Sequence, residues 1–188
     1  KISGIKLCEA LRKQYGFDAI SLMPTNLYGP GDNYNLKNSH VLPALIRKFY
    51  EAKLNDSASV TCWGTGSPLR EFLHVDDLGD ACVFSLENWN PDKSDSPTDK
   101  NGKKLTFLNV GSGKDISIKG LTEIISEAID YKGKIIWDDN LPDGTPRKLL
   151  DVRQISSLGW APKIDLKTGI SKTIEDFTHK IKNKQLRQ

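Results

Sequence analysis

Apolar residues recur at helical spacing from the start of the chain. Ile2, Ile5, Leu7, Cys8, Leu11 and Tyr15 form one such run, and Gly16 stops it. The next stretch, Asp18-Ala-Ile-Ser-Leu-Met-Pro, is short and apolar and reads as a strand. Helical period returns from His40 to about Leu54, with Val41, Leu42, Leu45, Ile46 and Phe49 on one face and Ser39 placed to cap it. Ser59-Val-Thr-Cys-Trp and Arg70-Glu-Phe-Leu-His-Val read as strands on either side of the turn Gly64-Thr-Gly-Ser-Pro. Asp76 or Asp77 opens a helix to about Leu86. Beyond it lie a strand from Leu105 to Val110, an amphipathic helix from Ser117 to Tyr131 and a short strand at Lys134-Ile-Ile-Trp. Short helices then lead up to Gly159, and a last helix starts near Leu166. This alternation predicts an α/β fold.

Two segments break the pattern. Thr25 to Ser39 is rich in Asn, Gly and Pro, and a loop of about 15 residues inside a compact domain usually serves function. Asn88 to Lys104 has no apolar period and reads as a mobile surface excursion.

Composition narrows the classes. The chain has 188 residues, 37% hydrophobic and 27% charged, which fits neither a disordered chain nor a membrane protein. No apolar run approaches the ~18 residues of a spanning helix. The length suits one domain or part of a larger one. A net charge of +3 is too small to point to nucleic acid. It suits a polyanionic small molecule, as it would many folds. Three scattered cysteines, Cys8, Cys62 and Cys82, suggest a reducing compartment without a disulfide framework or zinc site. A capless helix at Lys1 suggests a chain without its N-terminal portion, and the absence of a signal pattern suggests a cytoplasmic location. The tail from Lys180 to Gln188 reads as a solvated helix end.

Short motifs say little. Gly111-Ser-Gly113 and Gly64-Thr-Gly66 are too short for the dinucleotide fingerprint, and His40, His74 and His179 show no metal-ligand spacing. Longer runs say more. Pro24-Thr-Asn-Leu-Tyr-Gly-Pro-Gly-Asp-Asn follows a strand, and so sits where open parallel sheets bind ligands. Trp63-Gly-Thr-Gly-Ser-Pro-Leu-Arg-Glu-Phe-Leu-His-Val-Asp-Asp sets an aromatic ring and a guanidinium around a glycine turn. Pro142-Asp-Gly-Thr-Pro-Arg-Lys puts a carboxylate and two cations in one loop.

With Lys1-Ile-Ser-Gly-Ile-Lys-Leu-Cys-Glu and Asn38-Ser-His-Val-Leu-Pro-Ala-Leu, these runs resemble the C-terminal part of the GDP-L-fucose synthases, of the extended short-chain dehydrogenase/reductase family. The resemblance runs from Lys1 to about Phe177. It implies a Rossmann-type, doubly wound NAD(P)-binding fold with a smaller α/β substrate-binding domain. Residues 1–38 would be the last elements of the former. Residues 39–188 would be mostly the latter, with elements interleaved back. The implied activity is NADPH-dependent 3,5-epimerisation and 4-reduction of GDP-4-keto-6-deoxy-D-mannose to GDP-L-fucose. The implied protein is a homodimer, paired through helices that include the first, with Ile5 and Leu11 facing the partner, and binds neither nucleic acid nor membrane. By the same resemblance the fingerprint, the catalytic Ser and Tyr and a reactive Cys would precede Lys1. The chain alone would then be inactive, and Cys8, Cys62 and Cys82 would not take that Cys's role.

The resemblance also implies roles for particular residues. Lys1 would be the lysine of the Tyr-x-x-x-Lys motif, binding the nicotinamide ribose and acidifying the Tyr. Pro24, Thr25, Asn26 and Leu27 would present polar groups to the NADP(H) nicotinamide. His40 would contact the cofactor and act as acid/base, since an unperturbed imidazole titrates near ~6.5. Arg70 would bind the diphosphate with Lys48, which keeps the charge but not the fork of the Arg common there. Trp63 would pack on the nucleotide, and Asp143 with Lys148 would take the guanine or its ribose. Taken alone, each has an ordinary reading: a surface lysine, a βα-loop asparagine, a helix-start histidine, a core tryptophan, an Asp-Gly turn. His74, Asp76 and Asp77 read as a strand end and helix cap rather than a catalytic cluster. Two other functions stay open: another nucleotide-sugar epimerase or dehydratase of the same superfamily, and a non-catalytic sugar-nucleotide-binding protein.

Overall fold

The computed structural model describes residues 1–35 and 37–185. Helix α1 (Ile2–Tyr15) has Lys1 at its N-cap without a side-chain capping bond. It ends where Gly16 turns left-handed, φ 65°, and the N–H groups of Gly16 and Phe17 close on the carbonyls of Arg12 and Leu11. No residue of α1 is buried. Strand β1 (Ser21–Pro24) follows, and after Thr25 the chain runs on as β2 (Asn26–Tyr28). β2 lies inside the stretch that the polar pattern predicts as loop. Three residues are too few for alternation to register.

Helix α2 (Val41–Leu54) buries Leu42, Leu45, Ile46, Phe49 and Ala52, the face its spacing predicts, except that Val41, in the first turn, is exposed. The cap differs from expectation. His40 holds the N-cap position, and the buried Ser39 hydroxyl has no partner among the described residues. The N–H groups of Asn38 and Ser39 both close on the Asn35 carbonyl, and this turn advances the cap by one residue. Strands β3 (Ser59–Trp63) and β4 (Leu69–His74) come next, and helix α3 (Val75–Asn88) is capped by His74, whose Nδ1 accepts the Asp76 N–H at 3.2 Å. Buried Asp77 accepts the N–H groups of Lys163 and Ile164. These contacts bear out the structural reading of that cluster.

The excursion after α3 is tied down. Trp89 is buried and donates Nε1–H to Ser96 Oγ at 3.1 Å, while Lys104 bonds the carbonyls of Asp92 and Lys93. Arg12–Asp92, at 2.6 Å, and Glu9–Lys103 fasten it to α1. One aromatic anchor and a few ion pairs leave no periodic trace in sequence.

The remaining elements are β5 (Phe107–Val110), β6 (Asp115–Ser117), α4 (Ile118–Ile129), β7 (Lys134–Asp138), β8 (Arg147–Lys148), α5 (Arg153–Ser157) and α6 (Leu166–Lys182). Ser117 and Asp165 cap α4 and α6 through the N–H groups of Gly120 and Thr168. The expected polar tail is helical to Lys182, and its residues 186–188 lie outside the described ones.

β1 pairs parallel with β5, and β3 with β7. β4 is a central strand, parallel to β2 and β8 and antiparallel to β6. The chain exchanges β5 for β4 as its neighbour at Thr25, whose N–H donates to Val110 and whose hydroxyl donates to the Glu71 carbonyl. Two cores flank this point. One joins α2, α4 and α6 around Phe49, Leu121, Ile125 and Phe177. The other gathers Leu73, Ala81, Leu108, Val110, Ile155 and Trp160.

Candidate functional site

The change of strand partner at Thr25 opens a cleft of about 770 Å³ at the carboxyl end of β1. Lys1 lines it from the start of α1, residues 21–27 from the strands, and Asp32 and His40 from the loop before α2. All six residues that the resemblance nominates for catalysis and cofactor binding therefore meet in one place: Lys1, Pro24, Thr25, Asn26, Leu27 and His40. Lys1 and His40 are exposed to it. Asn26 donates Nδ2–H to the Glu71 carbonyl at 2.7 Å, so its side-chain oxygen is left as an acceptor.

Sequence reasoning missed Asp32. Its Oδ1 accepts the Asn33 N–H at 2.7 Å, and its buried Oδ2 has no partner among the described residues. Burial pushes this carboxyl above its ordinary range, while the Asn33 N–H and the nearby His40 pull it back. An Asp between Gly and Asn carries the signature of a turn, and only the fold shows where its carboxylate goes.

A second constellation gathers where β3, β4 and β8 present their ends. Register sets Arg70 beside Lys148. Arg70 holds its own Nη1–H on the Leu69 carbonyl at 2.7 Å. Asp143 accepts from the Thr65 hydroxyl at 2.6 Å and the Thr65 N–H at 3.0 Å. These bonds, the hydroxyl first, hold its carboxyl below the usual range, with Arg70 adding to the effect. Gly64 takes φ +73°, and a Cβ there would collide with the Asp143 carboxylate, so the turn requires glycine. Lys48 donates from α2 to the Thr61 carbonyl at 2.6 Å. Trp63 ends β3 on the outward face, 71% exposed, so it is not a core aromatic. Arg70, Lys148 and Asp143 thus meet in one cationic ledge, with Trp63 at the end of β3 and Lys48 bonded to that strand from α2.

Glu71, also missed, links the two groups. It is fully buried, and its carboxylate accepts the N–H groups of Gly113 at 2.7 Å and Leu150 at 2.9 Å. A carboxylate followed directly by the apolar pair Phe72-Leu73 was the available signal, masked by the neighbouring Arg70. None of the three cysteines lines the cleft. Cys62 is buried, and burial pushes its thiol up, which keeps it inert.

Residues 1–99 match the model of the NAD dependent epimerase/dehydratase family. GDP-L-fucose synthase 1 of Arabidopsis thaliana is 51% identical over 184 residues, which are 98% of this chain and 53% of that protein. The chain thus spans about half the length of the curated relatives it matches. A solved GDP-6-OMe-4-keto-L-xylo-heptose reductase from C. jejuni is 34% identical at a TM-score of 0.85, covering 96% of this chain and 59% of that one. A GDP-mannoheptose C4 reductase from Campylobacter jejuni, solved with NADP bound, is also 34% identical, at a TM-score of 0.77 over 95% and 58%. These likenesses show the Rossmann-type α/β fold that the resemblance implies.

Proposed function

The chain belongs to the NAD dependent epimerase/dehydratase family, and from that premise we propose that it supplies the sugar-nucleotide half of a GDP-L-fucose synthase. The reaction would convert GDP-4-keto-6-deoxy-D-mannose to GDP-L-fucose by inversion at C3 and C5 and reduction at C4. The observation that carries this reading is the meeting of Lys1, Asn26 and His40 in one cleft, with Asn26 bonded to β4 next to the Arg70–Lys148 pair.

A C4 ketone acidifies the protons on both neighbouring carbons, so inversion there requires a group that takes and returns protons. His40 is an exposed imidazole in the cleft and suits one face of the ring. A dinucleotide fits the same place. The cleft has the volume of a cofactor pocket, lies at a strand's carboxyl end, and offers an exposed ammonium and strand-end polar groups. Lys1, Pro24, Thr25, Asn26, Leu27 and His40 would hold NADP(H), which supplies hydride for C4 when bound. Arg70 would grip the diphosphate with Lys48, and Trp63 would cover the nucleotide. Asp143, kept anionic by Thr65, would accept from the guanine or its ribose, with Lys148 beside it.

Two parts of the reading concern the assembly. Residues 39–188 would form most of the substrate domain. The homodimer would pair through α1, whose Ile2, Leu7 and Tyr15 are exposed and whose Ile5 and Leu11 are only partly covered. A cytoplasmic location suits a phosphorylated substrate of this size, and no helix among the described residues is long and apolar enough to cross a membrane.

The test supplies the complete polypeptide with NADPH and GDP-4-keto-6-deoxy-D-mannose and identifies the product by NMR. GDP-L-fucose, formed mole for mole with NADP and inhibited by GDP more than by UDP, is the expected result. A product with uninverted C3 and C5, or stronger competition by UDP, would refute the proposal.

A further inference from the structure

His40 needs an orienting group if it is to return a proton to carbon. A free imidazole on a helix cap can rotate and exchange tautomers, and either change removes the donor from the reacting face. The structure places a candidate acceptor in the same cleft, with no hydrogen bond or ion pair between it and the imidazole among the described residues. Asp32 and His40 line the same cleft. The intervening loop is folded back on itself by Asn33 Nδ2–H on Asn38 Oδ1 at 3.0 Å, and by the Asn38 and Ser39 N–H groups on the Asn35 carbonyl. Of the two Asp32 oxygens, one is engaged by Asn33 and the other is buried without a donor among the described residues. A buried carboxylate oxygen left this way is costly unless a donor reaches it. The other charged side chain lining the cleft is Lys1, at the N-cap of α1.

We propose that Asp32 is the positioning residue of His40, its unengaged oxygen accepting one imidazole N–H while the other ring nitrogen handles the sugar proton. The proposal rests on the function assigned above. In the return step the imidazolium gives its proton to the enolate carbon, a C–H bond forms as an N–H bond breaks, and a neutral imidazole remains, still donating to Asp32. Asp32 keeps its charge throughout and does not touch the substrate.

Two measurements test this on the complete polypeptide. The first follows deuterium entry from D2O into the keto sugar. Asp32→Asn is expected to slow exchange about 10- to 100-fold with KM little changed, since correctly placed acid/base catalysis is worth at least that much. The pair Asp32→Asn with His40→Gln is expected to exchange no more slowly than His40→Gln alone. Undiminished exchange in Asp32→Asn, or additive losses in the double variant, would overturn the proposal. The second needs no substrate and no Asp32 variant. The 13C titration of the Asp32 carboxyl is compared between the native protein and His40→Gln. Since His40 pulls that carboxyl down, its removal is expected to move the titration upward. An identical titration in both proteins would also overturn the pairing, whatever the catalytic result. If the native protein exchanges no sugar proton at all, the assigned function fails, while the carboxyl titration still decides whether Asp32 and His40 are coupled.

Discussion

Replacing Glu71 by glutamine should destabilise the protein well beyond what the loss of one charge on a surface would do. The carboxylate is fully buried and receives two backbone N–H groups, from Gly113 at 2.7 Å and Leu150 at 2.9 Å. Glutamine keeps one acceptor and turns the other into a donor. One N–H then loses its partner and faces a second N–H. Leaving a buried donor unsatisfied costs roughly 1–3 kcal/mol, and the lost charge assistance on the remaining bond adds to it. The sum is about 2–4 kcal/mol, or about 5–15 °C in Tm for a chain of this size. Space offers no relief, because Gly111 is packed so closely on the carboxylate that a Cβ there would strike it. Function should fall too. The Glu71 carbonyl anchors Asn26 and Thr25 in the cleft, and Arg70 precedes it on β4. The assay is urea unfolding of the native and Glu71→Gln proteins, followed by far-UV dichroism. A change under about 0.5 kcal/mol, the range of ordinary surface substitutions, would refute the accounting.

Two further outcomes are expected. Arg70→Lys keeps the charge and loses the fork, so KM for the GDP-sugar should rise about 10-fold with kcat nearly constant, the mark of uniform binding; unchanged KM would remove Arg70 from the diphosphate site. Glu9 tests the tether between α1 and the excursion: bonds from Lys103, then Lys6, hold its carboxyl down to about 2, against an ordinary 4.5. Its folded value is depressed, so its contribution is complete above the ordinary value and is lost as pH falls through about 2; solvent screening limits it to about 1 kcal/mol or less. Amide exchange in residues 98–104 should therefore quicken as pH falls through that window relative to Glu9→Gln, and an equal pH response in both proteins would count against the tether.

Much of the fold was legible because long elements repeat their signal. The apolar spacing of Leu42, Leu45, Ile46 and Phe49, or of Leu121, Ile125 and Ile129, survives any local accident. β2, β6 and β8 were not legible. They are two or three residues long and exist because β4 is there to pair with. Trp89 and Ser96 gave no sign that a polar stretch would close on an aromatic. The six cleft residues were reachable only through the runs that carry the family resemblance, since no spacing rule links Lys1 to His40 across two strands and a loop. Asp32 escaped because its neighbours mark a turn. Glu71 escaped because a charge next to Arg70 reads as an ion pair until its side chain is seen to face the other way.

That opposition of Arg70 and Glu71 would let one strand serve both ends of the ligand proposed above. Adjacent residues of a strand point to opposite faces, so β4 sends a guanidinium toward Asp143 and Gly144 and a carboxylate into the turn at Gly113. The backbone between them carries the carbonyl that anchors Asn26. The spacing between the ledge and the cleft is thus a property of β4 and not of the loops around it. Such an arrangement works only if register cannot slip, because a shift of one residue would bury the guanidinium and expose the carboxylate. Three features oppose a slip. β6 pairs Leu69, Arg70 and Glu71 with Ser117, Ile116 and Asp115; β8 pairs Leu69 and Arg70 with Arg147 and Lys148; and Gly111 admits the Glu71 carboxylate with no room to spare. Two strands too short for the sequence to reveal therefore set the distance at which a diphosphate and a sugar ring would be held.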